Sequence, residues 1–412
     1  MQKQQLLQRA GILQSPVVAG IALGRETATL QKFSPVHSKD IKARVYGSTI
    51  QGHLLELPDP FSRTKIHHFA YDKATRGFLI GAERHGDNFI EAVTLNTSID
   101  QSPKDGSKGL PEGRSDSRYF ARSLSSNITS ISISPSRVAA ITTFGDRGPS
   151  ADIFFYTLSD PATQLPGAAA DFDTATLFNH TSHSTVYTSA PNSFLGNSEA
   201  VFAVGTAKAI IIFAHAQSQW SHSQTLALDS SAFAVEWQDA TTIAMGLHNG
   251  GVKLWDTRSG GSSLRFQHPS CAAGIKRVDA NRLVVCGLQN SMAMYDLRMT
   301  RENNESPPSS KPASYAISTR PLVNYPYHNS FWQFVGFDIS TDLGLVAASG
   351  DRDPFQMFSL ETGIPAGPNM MEEIEESSIP DSGGCSCIQF VSQDNKDVLH
   401  ATRYGELWNY YW

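Results

Sequence analysis

The sequence predicts an all-β fold: a single seven-bladed β-propeller of the WD-repeat type with a short N-terminal helical segment. Three observations predict it. Val252-Lys253-Leu254-Trp255-Asp256-Thr257-Arg258 and Met292-Ala293-Met294-Tyr295-Asp296-Leu297-Arg298 repeat one pattern, apolar, any, apolar, aromatic, Asp, any, Arg. Their aspartates lie 40 residues apart, inside the roughly 40–45-residue period of a WD-type blade. Seven strand pairs recur along the chain, and convincing long helix patterns do not.

The first pair runs from 77–81 to 89–95, the second from 138–142 to 153–158 and the third from 201–204 to 209–213. The fourth joins 242–246 to 252–256 through His248-Asn249-Gly250-Gly251, where Asn-Gly is a strong hairpin signal. The fifth runs from 283–288 to 292–296, the sixth from 345–349 to 355–360 and the seventh from 398–402 to 406–410. Gly81, Gly205, Gly246, Gly287 and Ser349 are expected where an inner strand leaves the crowded centre of the ring. Extra strands with period-two alternation precede several pairs, at 128–133, 232–237, 273–278, 334–339 and 387–391. The last pair ends close to Trp412, so its blade needs an outer strand from elsewhere; 42–46 and 54–57 are the N-terminal candidates. Residues 42–412 thus read as one propeller and 1–41 as an N-terminal segment. Within 1–14, Leu6, Leu7, Ala10 and Leu13 fall on one face at helical spacing. A helix this short persists only when docked, so the segment is either a frayed terminus or a docking helix. Polar stretches at 98–118, 301–313 and 365–384 read as surface insertions, the second of them disordered.

Composition narrows the function classes. A chain of 412 residues with 40 % hydrophobic and 17 % charged residues is that of a folded protein with a large core. A net charge of −6 gives no global pull toward nucleic acid or anionic membrane. Four cysteines (Cys271, Cys286, Cys385, Cys387) are too few for a disulfide framework, and the C-x-C pair reads as core strand rather than metal site. No signal peptide or bilayer-length apolar run is present, so the expectation is a soluble intracellular protein of nucleus or cytoplasm. No nucleophile elbow, P-loop, zinc-protease motif or dinucleotide fingerprint occurs. His67-His68, His180/His183 and His215/His222 lack a nucleophile or carboxylate in register, and Asp351-Arg352-Asp353 reads as a tight turn. The expectation is a non-enzyme with no cofactor and no metal.

Arg258 and Arg298 remain. An aromatic-Asp pair closing a strand is an ordinary blade ending, whereas no rule of blade folding demands the arginine two residues on. On successive blades both arginines should emerge side by side at the rim of one flat face. Their planar donors suit carboxylates and backbone carbonyls. The alternative is that each pairs with a loop of its own chain.

At these residues the chain resembles the WD-repeat cullin-4-associated factors. Trp255-Asp256-Thr257-Arg258 and Tyr295-Asp296-Leu297-Arg298 are similar to the paired WD-x-R boxes of those propellers. The resemblance is densest across 243–363, in Gly246-Leu247-His248-Asn249-Gly250-Gly251, Ala348-Ser349-Gly350-Asp351-Arg352 and Met357-Phe358-Ser359-Leu360-Glu361-Thr362-Gly363. It implies a non-catalytic substrate receptor that binds damage-specific DNA-binding protein 1, the adaptor of cullin-4 RING ubiquitin ligases, and presents an unknown protein substrate. It also implies that Arg258 and Arg298 contact the adaptor, that Asp256 and Asp296 hold the turns, and that Leu6, Leu7, Ala10 and Leu13 dock in the adaptor's cleft. Two departures stand out: Tyr295 replaces Trp in the second box, and the sixth blade has Ser359 and no box arginine. A general WD-repeat scaffold in a chromatin or RNA-processing complex is the competing reading, with the arginines serving local structure.

Overall fold

The computed structural model describes residues 51–54, 65–94, 121–144, 151–158, 185–299, 320–366 and 387–411, apart from short stretches at 85–86, 125–126, 198, 217–218, 331–334, 351–354, 394–395 and 404. The segment 1–14 with Leu6, Leu7, Ala10 and Leu13, most of the three insertions, the Asp351 turn and His180/His183 lie outside the described residues.

Seven antiparallel sheets form the seven blades, five with four strands and two with three among the described residues. The innermost strands are Lys65–Asp72, Ile128–Ile133, Val186–Pro191, Ala232–Trp237, Ala272–Arg277, Phe337–Ser340 and Ile388–Gln393. Residues of all seven line one central cavity of about 430 Å3. The strands read from sequence as extra elements upstream of the pairs are therefore the ones at the axis, and each predicted pair supplies the next two strands outward. Blade 4 shows the pattern: Ala232–Trp237, Thr242–Leu247, Gly251–Asp256 and Gly261–Gln267 follow in sheet order. The ring closes where Gln51–Leu54 pairs antiparallel with Glu406–Tyr411, Gln51 opposite Tyr411 and Leu54 opposite Trp408. Closure was expected from 42–46 or 54–57; of those candidates Leu54 is in the paired strand, and 42–46 and 55–57 lie outside the described residues. Gln51, Gly52 and His53 carry no apolar alternation, because this strand joins through backbone hydrogen bonds that leave no mark on composition.

The small residues serve a different neighbour from the one expected. Gly205 and Gly246 stand on second strands and face the first strand of the next blade. A Cβ on Gly246 would lie 2.6 Å from the Ala272 carbonyl oxygen, and one on Gly205 2.7 Å from that of Ala232. Gly81 likewise meets Ile128 Cδ1 of blade 2, whereas Gly287 meets the Cys271 carbonyl of its own blade. What is crowded is the joint between blades. Around these joints pack the apolar clusters, such as Ile210 and Ile212 of blade 3 against Trp237, Ile243, Met245 and Trp255 of blade 4.

Polar ties repeat near the axis. Asp72 pairs with Arg137 (3.0 Å) across blades 1 and 2. Ser189 Oγ joins Ser130 and Ser132 Oγ, each at 2.8 Å, across blades 2 and 3. Trp237 Nε1 donates to the Ala190 carbonyl (3.1 Å) across blades 3 and 4. Lys276 pairs with Asp338 (3.0 Å), whose second oxygen accepts from Phe390 N (2.8 Å), linking blades 5, 6 and 7. Tyr71 N donates to Gln389 Oε1 (3.0 Å), joining blade 7 to blade 1. Glu236 of blade 4 interacts electrostatically with Lys276; burial lifts its carboxyl to about 7, against the pull of that ammonium.

The joint geometry sets an expectation for stability. Gly246→Ala forces a methyl against backbone of the next blade and is expected to lower the unfolding free energy by about 1–3 kcal/mol, as overpacking does. Gly261→Ala, whose added carbon meets only Ser259 Oγ at 4.0 Å, is expected to stay within about 0.5 kcal/mol of wild type. Urea denaturation of the two variants side by side checks this, and equal midpoints would remove the joint constraint.

Candidate functional site

The third strands of blades 4 and 5, Gly251–Asp256 and Met292–Asp296, end in two turns of the same construction. In blade 4, Asp256 Oδ1 accepts from the backbone N–H of Arg258 (3.0 Å) and from its Nε (3.1 Å), while Oδ2 accepts from Nη2 (2.9 Å). In blade 5 the same bonds join Asp296 to Arg298 at 2.9, 3.0 and 2.6 Å. Each turn also leans on the connection between the first two strands of its blade, with Thr257 N donating to the Thr241 carbonyl (2.9 Å) and Leu297 N to that of Asn281 (2.7 Å). The arginine bonds hold both aspartate carboxyls below their ordinary range and raise both guanidinium groups.

The arginine thus has a folding partner, its own box aspartate, which the sequence pattern did not reveal. The fork is nevertheless one-sided. It engages Nε and Nη2, and Nη1 of each arginine has no hydrogen-bond partner among the described residues. The arginine side chains are 71 % and 68 % exposed, against 36 % for Asp256 and 7 % for Asp296. A planar donor held along one edge presents the other edge to solvent in a fixed orientation.

The two aromatic positions are supported differently. Trp255 is buried, and its Nε1 has no hydrogen-bond partner among the described residues. Tyr295 is buried against Phe266, ring centroids 4.2 Å apart, and its hydroxyl meets His268 Nδ1 at 3.0 Å. His268 Nε2 in turn meets Ser291 Oγ at 2.9 Å. His268 and Leu228 occupy matching places after the outer strands of blades 4 and 3, donating backbone N–H to Gly250 and Lys208 carbonyls. Where the loop carries histidine, the third strand carries a phenol that reaches it; where it carries leucine, the indole stands alone. Tyr295 is a complementary replacement rather than a weakened box.

Register fixes what blade 6 places at the same positions. Thr242 lies opposite Asp256, Arg282 opposite Asp296 and Leu345 opposite Ser359. Ser359 therefore stands in the aspartate position, and Glu361, two residues on, stands in the arginine position. Glu361 Oε2 accepts from Arg282 Nη1 of blade 5 at 2.9 Å, while Arg282 Nε donates to Asp279 Oδ2 at 2.6 Å. Sequence reading noted the missing arginine but missed this cross-blade pair, whose partners lie 79 residues apart. Only the repeat register could have pointed to it.

Elsewhere, among the described residues, no group of three or more His, Cys, Asp or Glu side chains is arranged to hold a metal ion. No helix among them is long and apolar enough to cross a membrane. Cys271 and Cys286 are buried and their thiols pushed up by burial, Cys271 to about 12.

No protein-family model matches the chain, and no curated protein does. Among solved structures it is similar to the WD40 domain of Toxoplasma gondii coronin, at 9 % identity over 89 % of this chain and 86 % of that one, with a TM-score of 0.54. It is also similar to the computationally designed Ika8 protein, at 12 % identity over 85 % of this chain and 97 % of that one, with a TM-score of 0.47. The coronin likeness and the seven sheets show a WD40 propeller fold.

Two outcomes are expected from these turns. Asp296→Ala opens the acceptor of the Arg298 N–H and should cost about 1 kcal/mol, whereas Arg298→Ala at an exposed position should stay within about 0.5 kcal/mol; chemical denaturation distinguishes the two. Burial holds His268 at about 4, below the ~6.5 of an unfolded histidine. Between those values the unfolded chain binds the extra proton, so stability is full above pH ~6.5 and falls on acidification toward pH 4, by up to about 1.4 kcal/mol per unit. His400, also near 4 through burial, acts in the same sense. His268→Gln should flatten the slope of unfolding free energy between pH 7 and 5; an unchanged slope would mean that His268 titrates alike in both states.

Proposed function

We propose that this chain is a non-catalytic protein-interaction propeller that binds damage-specific DNA-binding protein 1 and acts as a substrate receptor of a cullin-4 RING ubiquitin ligase. Within the cullin-4-associated factors its box sequences and the 243–363 region are most like factor four, WD repeat protein 21. The observation that carries the reading is the pair of matching arginine forks on adjacent blades, each anchored by its own aspartate and each with an open edge. A guanidinium already oriented by a carboxylate loses little side-chain freedom when it meets a second acceptor, which lowers the entropy penalty of association. In this reading Arg258 and Arg298 meet carboxylate or carbonyl oxygens of the adaptor, while Trp255, Asp256, Tyr295 and Asp296 hold the two turns. The segment with Leu6, Leu7, Ala10 and Leu13 supplies a second, helical contact with the adaptor. The substrate is a protein taken up by other loops, and no step calls for nucleic acid, membrane or cofactor.

One observation favours the competing reading, a WD-repeat scaffold in a nuclear complex: each arginine already has an intramolecular carboxylate, as a purely structural residue would. Affinity purification of wild type beside Arg258→Ala/Arg298→Ala separates the two. The receptor reading expects the adaptor with wild type and at least tenfold less with the double variant, at unchanged melting temperature. Absence of the adaptor from wild type refutes the receptor function. Equal recovery with both proteins removes the box assignment and leaves the function standing.

A further inference from the structure

Four large apolar side chains are exposed among the described residues: Phe194 (40 %), Met299 (59 %), Leu322 (44 %) and Ile364 (43 %). Scattered surface apolar residues need no explanation, but these four share one end of the propeller. Strands alternate in direction, so connections from first to second strand and from third to fourth strand leave a blade at the same end, that of the box turns. Phe194 lies in the first connection of blade 3, between Val186–Pro191 and Val201–Thr206. Met299 directly follows the blade 5 box, Leu322 precedes that blade's outer strand Val323–Asn324, and Ile364 follows the third strand of blade 6, Gln356–Ser359.

Phe194 has a partner, the Arg277 guanidinium 5.0 Å from its ring centroid. The other three converge around Arg298. Met299 N donates to the Asp296 carbonyl (3.0 Å), placing Met299 in the box turn itself. Leu322 N donates to the Met294 carbonyl (2.8 Å), beside the same strand end. The turn that carries Ile364 lies against the strand that Leu322 opens, since a Cβ on Gly363 would stand 2.5 Å from Asn324 O and 2.8 Å from Val323 Cγ1. Arg298 is the most exposed of the ion-paired groups here, at 68 %, since Asp296 and Glu361 are 7 % and 10 % exposed, and Asp279, 44 % exposed, is paired with Arg282.

We propose that Met299, Leu322 and Ile364 form the apolar half of the docking surface whose polar half is Arg298. The occupant is a protein surface that places apolar side chains on this trio and an acidic side chain on the open edge of Arg298. Apolar anchors beside an arginine, with the neighbouring carboxylates Asp279, Asp296 and Glu361 each in an ion pair, match the make-up of interface centres, where Met and Arg are enriched and acidic residues depleted. This inference rests on the receptor reading and assigns the contact to the same adaptor.

Calorimetric titration of the full chain with purified damage-specific DNA-binding protein 1 tests it, using Met299→Ser/Leu322→Ser/Ile364→Ser beside Arg298→Ala at two salt concentrations. The triple variant is expected to bind at least tenfold more weakly with an unchanged salt dependence, because no charge is altered. Arg298→Ala is expected to weaken binding and to flatten the salt dependence. Should the triple variant melt at a lower temperature than wild type, Met299→Ser alone takes its place, with a threefold loss expected. Affinity within twofold of wild type for the apolar variant overturns the inference while the receptor reading survives on Arg298→Ala. No binding by wild type overturns both.

Discussion

Everything at the rim depends on how one blade seats against the next. The second strand of a blade must come within touching distance of the first strand of its neighbour, and Gly81, Gly205 and Gly246 make that approach possible. At Gly205 and Gly246 an added methyl would press on the carbonyl of Ala232 or Ala272, and at Gly81 on the Ile128 side chain. Because the sheets form a ring, no joint can loosen alone. The last blade is completed by Gln51–Leu54 lying beside Glu406–Tyr411 as its outer strand, so the two ends of the described fold are held in one sheet. The polar ties near the axis add direction to this packing, since buried hydrogen-bonded groups tolerate far fewer arrangements than apolar contact does.

The box turns inherit that rigidity. Asp256 and Asp296 satisfy a backbone N–H and fix a guanidinium at the same time, so turn structure and presentation of the arginine are one arrangement. This is why structural and recognition roles do not compete at these residues. A fork that uses Nε and Nη2 completes the turn and leaves Nη1 pointing away from it. The differing support beneath the two boxes, an indole unpartnered among the described residues in one and a Tyr295–His268–Ser291 chain in the other, shows that one turn geometry is reached from two different cores.

Much of the fold was legible because period and alternation are local. Residues 242–246 and 252–256 announced their hairpin through Asn249-Gly250, and 128–133 announced its strand through Ile128, Ile131 and Ile133 set among Ser and Thr. What was illegible was non-local. The position of each strand relative to the axis is a property of the ring, so Gly81, Gly205 and Gly246 were assigned to the centre when they serve the joints. Gln51–Leu54 pairs through backbone groups and carries no apolar pattern. At the candidate site the aspartates and arginines were readable from spacing, but their mutual fork was not, because two residues of separation look the same in any turn conformation. The Arg282–Glu361 pair depended on blade register as well as on charge.

That last pair has a wider consequence. Seven blades of similar outline give a disc with near-rotational symmetry, and a partner meeting equivalent turns could settle in several orientations. Blade 6 carries a carboxylate where blades 4 and 5 carry arginines, and the carboxylate is tied back to Arg282. The run of cationic turns therefore has an end, and the disc acquires a single compass bearing.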